Sequence, residues 1–221
     1  LTRNILLAGS TGLIGRIVCQ QLVERPDVSL ISLVRNGSTA FGYPIDFERL
    51  CVAPEAALRP VAPSVVDVAI SCLGTTMRTA GSQPAMFRVD HDYVLALAKG
   101  AKALGARQFI LVSSVGAGGT GFYLKTKGAI EQAVALLGFV RIDIIRPGFL
   151  LGQRDETRVL EAVAQHVLAA LSPILPRRLS RYGVITANTV AEAIVQFAGK
   201  TPPEHQVYEH VDLQRLSRQC N

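Results

Sequence analysis

The sequence contains no tryptophan and two methionines, and aromatic residues make up 6% of its 221 positions. So thin an aromatic supply argues against a platform on which nucleic-acid bases stack. Charged residues are scarce as well, at 18%, against roughly 25% in an ordinary soluble domain. With 49% hydrophobic residues, the chain can bury enough apolar surface to offset the entropy of ordering, which excludes intrinsic disorder. The four cysteines, Cys19, Cys51, Cys72 and Cys220, form no C-x-x-C pair. A zinc site and a disulfide scaffold are therefore not expected, and reduced thiols in a cytoplasm are. His91, His166, His205 and His210 lack metal-ligand spacing, so no metal is expected. The late apolar run from Val159 to Leu175 is interrupted by Glu161, Gln165 and His166. It falls short of the ~20 residues needed to cross a bilayer. Leu1 to Asn4 lead straight into an apolar stretch with no signal-peptide pattern. The expectation is a soluble, cytoplasmic protein that engages no membrane.

What the chain does have is a positive balance, a net charge of +6 with a pI near 9.4. That balance favours an anionic ligand without choosing one, and charge alone makes no case for nucleic acid. Its length suits one large domain, since a single domain averages about 150 residues. Apolar bursts alternate with longer helical patterns, which predicts an α/β fold: a doubly wound parallel sheet with helices on both faces. Strands are predicted at Asn4 to Ala8, Val28 to Val34, Val66 to Cys72, Gln108 to Ser113 and Arg141 to Arg146. Helices are predicted at Leu13 to Glu24, Pro84 to Leu104 and Phe122 to Leu137. Residues 36 to 64 carry several prolines and glycines and read as loop, with a short strand at Tyr43 to Ile45 and a helix around Glu55. After Gly148 the pattern loosens, with helices at Glu156 to Leu171 and Thr189 to Ala198 and a strand at Gln206 to Val211. One Rossmann-type domain over 1–221 is expected, with 149–221 supplying a small substrate-side elaboration.

Gly9-Ser10-Thr11-Gly12-Leu13-Ile14-Gly15 follows the first strand directly and opens the first helix. Glycines there permit a tight turn and let backbone approach a diphosphate, while the helix N-terminus offers unpaired N–H groups. A dinucleotide site of this kind ordinarily carries an acid at the end of the second strand, for the ribose 2′-hydroxyl. Arg35 stands there instead, and Arg16 follows the third glycine. A guanidinium favours a 2′-phosphate, which points to NADP over NAD, unless Arg35 is simply a solvated charge. Tyr123 and Lys127 are four residues apart on one predicted helical face, after a strand that closes on Ser113-Ser114. A free phenol titrates near 10, and an adjacent cation favours its ionised form. Tyr123 can thus serve as the proton donor or acceptor, Lys127 as its activating cation and Ser114 as a hydrogen-bond donor to a substrate oxygen.

The glycine turn, the strand-end serines, Tyr123-x-x-x-Lys127 and Arg146-Pro147-Gly148 together resemble a short-chain dehydrogenase/reductase of the atypical or extended kind. Cys72-Leu73-Gly74-Thr75-Thr76, Arg88 to Val94 and Arg146 to Leu151 bring it nearer to the Tat-interacting-protein branch of that superfamily. The resemblance implies an NADP-dependent oxidoreductase acting on a small carbonyl or alcohol, or an NADPH-binding sensor that turns over nothing. It implies that Cys72, Leu73, Gly74 and Thr75 line the adenosine and ribose side and that Asp46 lies near the adenine. Lys127 would also hold the nicotinamide ribose, and Pro147, Gly148, Phe149 and Leu150 would meet the carboxamide. Asp90 stands where many members have Asn, either as part of a proton relay or as a tie between helix and sheet. The Ser114-to-Tyr123 spacing is shorter than usual, so either Ser113 or Ser114 could face the substrate. Arg154, Arg158, Arg177, Arg178 and Arg181 form a late basic set that would grip an anionic substrate or remain solvated. The Glu156 to Leu171 helix would serve the core or a homodimer contact.

Overall fold

Strands buried on both faces need apolar residues on both, and the first strand has them from Ile5 to Ala8. In the computed structural model, which describes residues 2–36, 38, 40–151 and 183–218, β1 (Arg3–Ala8) sends Leu6 and Ala8 into one core and Ile5 and Leu7 into the other. Such two-faced burial is what a parallel sheet covered by helices requires. α1 (Leu13–Val23), β2 (Val28–Arg35) and β3 (Tyr43–Ile45) follow as the alternation predicts. Asp46 then caps α2 (Phe47–Val52), its Oδ1 accepting from the N–H groups of Glu48 at 2.8 Å and Arg49 at 3.2 Å. Pro54, suited to a first helical position, opens α3 (Pro54–Leu58).

β4 (Val68–Ser71) leads through the Cys72–Thr76 loop into the short helices α4 (Met77–Ala80) and α5 (Gln83–Phe87). A π-helical turn at Arg88–Asp92 joins α5 to α6 (Tyr93–Ala103), so the long helix expected over Pro84 to Leu104 widens once along its length. β5 (Gln108–Val112), α7 (Phe122–Ala135), β6 (Arg141–Arg146) and β7 (Phe149–Leu151) complete the central part. From residue 183 onward come β8 (Val184–Thr186), α8 (Ala187–Phe197), β9 (Glu204–Glu209) and α9 (His210–Arg218).

Seven of these strands form one parallel sheet in the order β3-β2-β1-β4-β5-β6-β9. The chain leaves β1 toward β2 on one side and returns on the other through β4. Open sheets of this Rossmann type bind ligands in the crevice beyond the strand ends at that reversal. One core packs α2, α3, α6 and α7 against the sheet through Leu50, Leu58, Leu97 and Ile130; the other packs α1 and α8 through Val18, Leu22, Ile194 and Phe197.

The described residues of 149–221, a stretch expected on the substrate side, divide in two. β7 and β8 pair in parallel as a separate two-stranded ribbon above the strand ends. α8 and β9 instead extend the main body, with β9 pairing along the whole of β6. The strand expected at Gln206 to Val211 begins two residues earlier, because its register against β6 runs from Glu204 to Glu209. The Glu156 to Leu171 helix, the late arginine set, His166 and Cys220 lie outside the described residues.

Candidate active site

A cavity of about 700 Å³ opens where β1, β4 and β5 end, a size ordinary for small-molecule and cofactor sites. One wall is the start of α1, where Gly12, Leu13 and Ile14 border the space. This helix has no side-chain cap at Gly12 and no acid in its first turn. Its leading N–H groups and positive dipole end therefore remain available to an anion. Gly9 takes φ +89°, and a Cβ there would lie 2.5 Å from the carbonyl carbon and oxygen of Cys72. At Gly15 a Cβ would lie 2.1 Å from the oxygen of Gly9. These two glycines let β1, α1 and the β4 loop meet closely enough to leave the cradle open.

The opposite wall comes from the β4 loop and α7. Cys72, Leu73, Gly74 and Thr75 border the cavity, joined by Thr76. Burial pushes the Cys72 thiol up to about 12, so it is neutral at physiological pH and no nucleophile. Tyr123 and Lys127 both border the cavity from α7, as their spacing predicts. Tyr123 is 38% exposed, and the Lys127 ammonium lies 5.8 Å from the centre of its ring. Lys127 itself is buried and pairs with Asp90, Nζ to Oδ1 at 2.8 Å. The other Asp90 oxygen accepts the Thr75 N–H at 2.8 Å.

Both serines border the cavity, but their hydroxyls are used differently. Ser113 is buried and donates to Glu131 Oε1 at 2.5 Å. Arg146 clamps the same carboxylate through Nε at 2.9 Å and Nη2 at 2.5 Å. Ser114 makes only a 3.3 Å contact to the Val115 carbonyl, which leaves its hydroxyl the freer of the two for a ligand. Pro147, Gly148, Phe149 and Leu150 line the far end together with Val112 and, across from them, Val184 of β8.

The remaining candidates lie away from this cavity. Ser10, Thr11 and Arg16 border a second cavity of about 560 Å³ with Cys19, Ala40 and Phe41. The Ser10 hydroxyl accepts from Ser32 at 2.7 Å, tying the glycine turn to β2. Arg35 is exposed at the end of β2. Asp46, expected near the adenine, has its carboxylate engaged in capping α2. Glu131 was not among the candidates, although a helical signal existed: Tyr123, Lys127 and Glu131 recur at intervals of four along one face. Thr76, Val112 and Val184 carry no chemical signature in the sequence. No group of three or more potential metal ligands occurs among the described residues, and none of their helices is long and apolar enough to cross a membrane.

A family model described as NAD(P)H-binding matches residues 9–199. The protein fmp52, mitochondrial, of Emericella nidulans is 35% identical over 77% of this chain and 77% of its own length. Its namesake in Aspergillus fumigatus is 32% identical over 90% and 91%. The protein HTATIP2 of Rattus norvegicus is 33% identical over 76% of this chain and 72% of its own. Among solved structures, a UDP-glucose 4-epimerase of Thermotoga maritima superposes with a TM-score of 0.68 at 15% identity, covering 93% of this chain and 76% of that one. RMD from Pseudomonas aeruginosa, complexed with NADPH, does so with a TM-score of 0.64 at 15% identity, over 94% and 76%. At such identities the structures show the Rossmann fold alone. The fungal relatives overturn the cytoplasmic expectation, because they are named mitochondrial. Unpaired cysteines report a reducing milieu rather than a particular compartment, so they could not make that distinction.

Proposed function

The chain belongs to the NAD(P)H-binding family, among the atypical short-chain dehydrogenases/reductases near the Tat-interacting-protein branch, and from that premise we propose that it is an NADP-dependent oxidoreductase of small carbonyl or alcohol substrates. The carrying observation is that Ser114, Tyr123 and Lys127 border the same cavity as the uncapped start of α1. When bound, the dinucleotide supplies a hydride to, or accepts one from, the substrate carbon. The α1 N–H groups beyond Gly12 hold its diphosphate, and Cys72 to Thr75 flank the adenosine and ribose. Lys127 holds the nicotinamide ribose, and Pro147 to Leu150 meet the carboxamide. Tyr123 gives its proton to the substrate oxygen in reduction and takes it back in oxidation. Ser114 orients that oxygen by donating a hydrogen bond, while Ser113 stays with Glu131 and Arg146. On the names of the fungal relatives, the protein works in mitochondria.

The preference for NADP rests on Arg35, exposed where an NAD site carries an acid, and on Arg16 at the neighbouring second cavity. Calorimetric titration should show NADPH binding more tightly than NADH, and Arg35→Asp should narrow or reverse the difference. Equal affinities in the unmodified protein would remove the argument from Arg35.

A further inference from the structure

Asp90 reaches the site from an unusual piece of backbone, the π-helical turn at Arg88–Asp92. Its side chain is 1% exposed and that of Lys127 is 4% exposed, so the pair is out of water. One carboxylate oxygen holds the ammonium and the other holds the Thr75 N–H, both at 2.8 Å. Asp90 therefore ties α7 to the β4 loop across the back of the cavity. Gly74 lies close against the pair, since a Cβ there would lie 3.5 Å from Asp90 Oδ1 and 3.7 Å from Lys127 Nζ. Among the described residues that line the cavity, Asp90 and Lys127 are also the sole bearers of formal charge. Their charges cancel.

That cancellation has a consequence for redox forms. An oxidised nicotinamide carries a positive charge that the reduced ring lacks. An uncompensated ammonium in a low-dielectric pocket repels the oxidised form and is indifferent to the reduced one. Resting on the dinucleotide reading above, we infer that Asp90 is a positioning residue that holds Lys127 in place and cancels its charge. The cavity can then accept the oxidised cofactor without a penalty. A tie between helix and sheet alone would affect both redox forms equally, so the two roles part in a binding experiment that requires no turnover.

The test is the ratio of dissociation constants, NADP⁺ over NADPH, measured by calorimetry at pH 6.5 on the intact chain. Asp90→Asn keeps an acceptor for the Thr75 N–H and removes the charge. It should raise the ratio by about tenfold, the scale of one unit charge acting through a partly screened interior. Asp90→Glu, which restores the charge, should bring the ratio back toward that of the unmodified protein. Should Asp90→Asn fail to fold, as judged by its thermal melt, Asp90→Ser makes the same comparison. An unchanged ratio in a folded neutral variant overturns the inference, as does an equal weakening of both forms. If the unmodified protein binds neither form, the dinucleotide reading itself falls and takes this inference with it.

Discussion

Tyr123→Phe should lower turnover of any carbonyl substrate by about 10²–10⁴-fold, the usual contribution of a general acid or base, while NADPH affinity stays almost unchanged. The variant removes one hydroxyl from a partly exposed ring at the cavity wall, so neither the fold nor the cradle at α1 is disturbed. Lys127→Ala should behave differently. It deletes the proposed ribose contact, and it also strands the Asp90 carboxylate in a site out of water. Breaking a buried pair in this way destabilises a protein by about 3–5 kcal/mol. Loss of cofactor binding and a lower melting temperature should therefore accompany its loss of activity. The measurements are single-turnover and steady-state rates on a substrate found by screening aldehydes, ketones and quinones, beside calorimetric affinities. A screen that finds no turnover, with NADPH still bound and a partner interaction indifferent to Tyr123→Phe, would leave the hydroxyl no task. The chain would then be a cofactor-binding sensor on an oxidoreductase scaffold.

The parts of this site that were legible in the sequence are those whose chemistry and spacing lie within one element or one turn. The glycine turn announces itself because β1 precedes it and α1 follows it, and Tyr123 and Lys127 sit one helical turn apart. Ser113 and Ser114 could not be separated by sequence. What separates them is Glu131, which reaches Ser113 from the same helix that carries the tyrosine. For Asp90 a tie between helix and sheet is legible, but its partners Lys127 and Thr75 are not, since they come from other elements and meet it at a π turn. Asp46, placed near the adenine by resemblance, also sits directly before an apolar helical start, and its capping of α2 is legible from that position alone. β9 was visible as a strand, but its place beside β6 was not. Its half-exposed, polar pattern marks an edge without saying which edge. The compartment was beyond reach for another reason: nothing in the chemistry of a reduced thiol distinguishes one reducing space from another.

The second large effect belongs to the glycine turn, where neighbouring glycines should fail for different reasons. Gly12 has φ −82°, which any residue adopts, and a Cβ there would meet only the Gly9 oxygen, at 3.3 Å. A few tenths of an ångström of movement would accommodate it, so Gly12→Val should fold. Its isopropyl group would stand at the mouth of α1, in the space that the diphosphate must occupy. Dinucleotide affinity should fall below detection in calorimetry while the thermal melt stays cooperative. Gly15 is already buried against the same turn, and a Cβ there would lie 2.1 Å from the Gly9 oxygen and 2.7 Å from its carbonyl carbon. Backbone cannot yield as a flexible side chain can, so Gly15→Val should lose the fold itself, with insoluble expression or a non-cooperative melt. The contrast is what makes the experiment decisive. If folded Gly12→Val binds NADPH as tightly as the unmodified protein, the phosphates are held elsewhere and the uncapped start of α1 is not their site. If instead Gly15→Val folds normally, the close approach of β1, α1 and the β4 loop is not what keeps the cradle open.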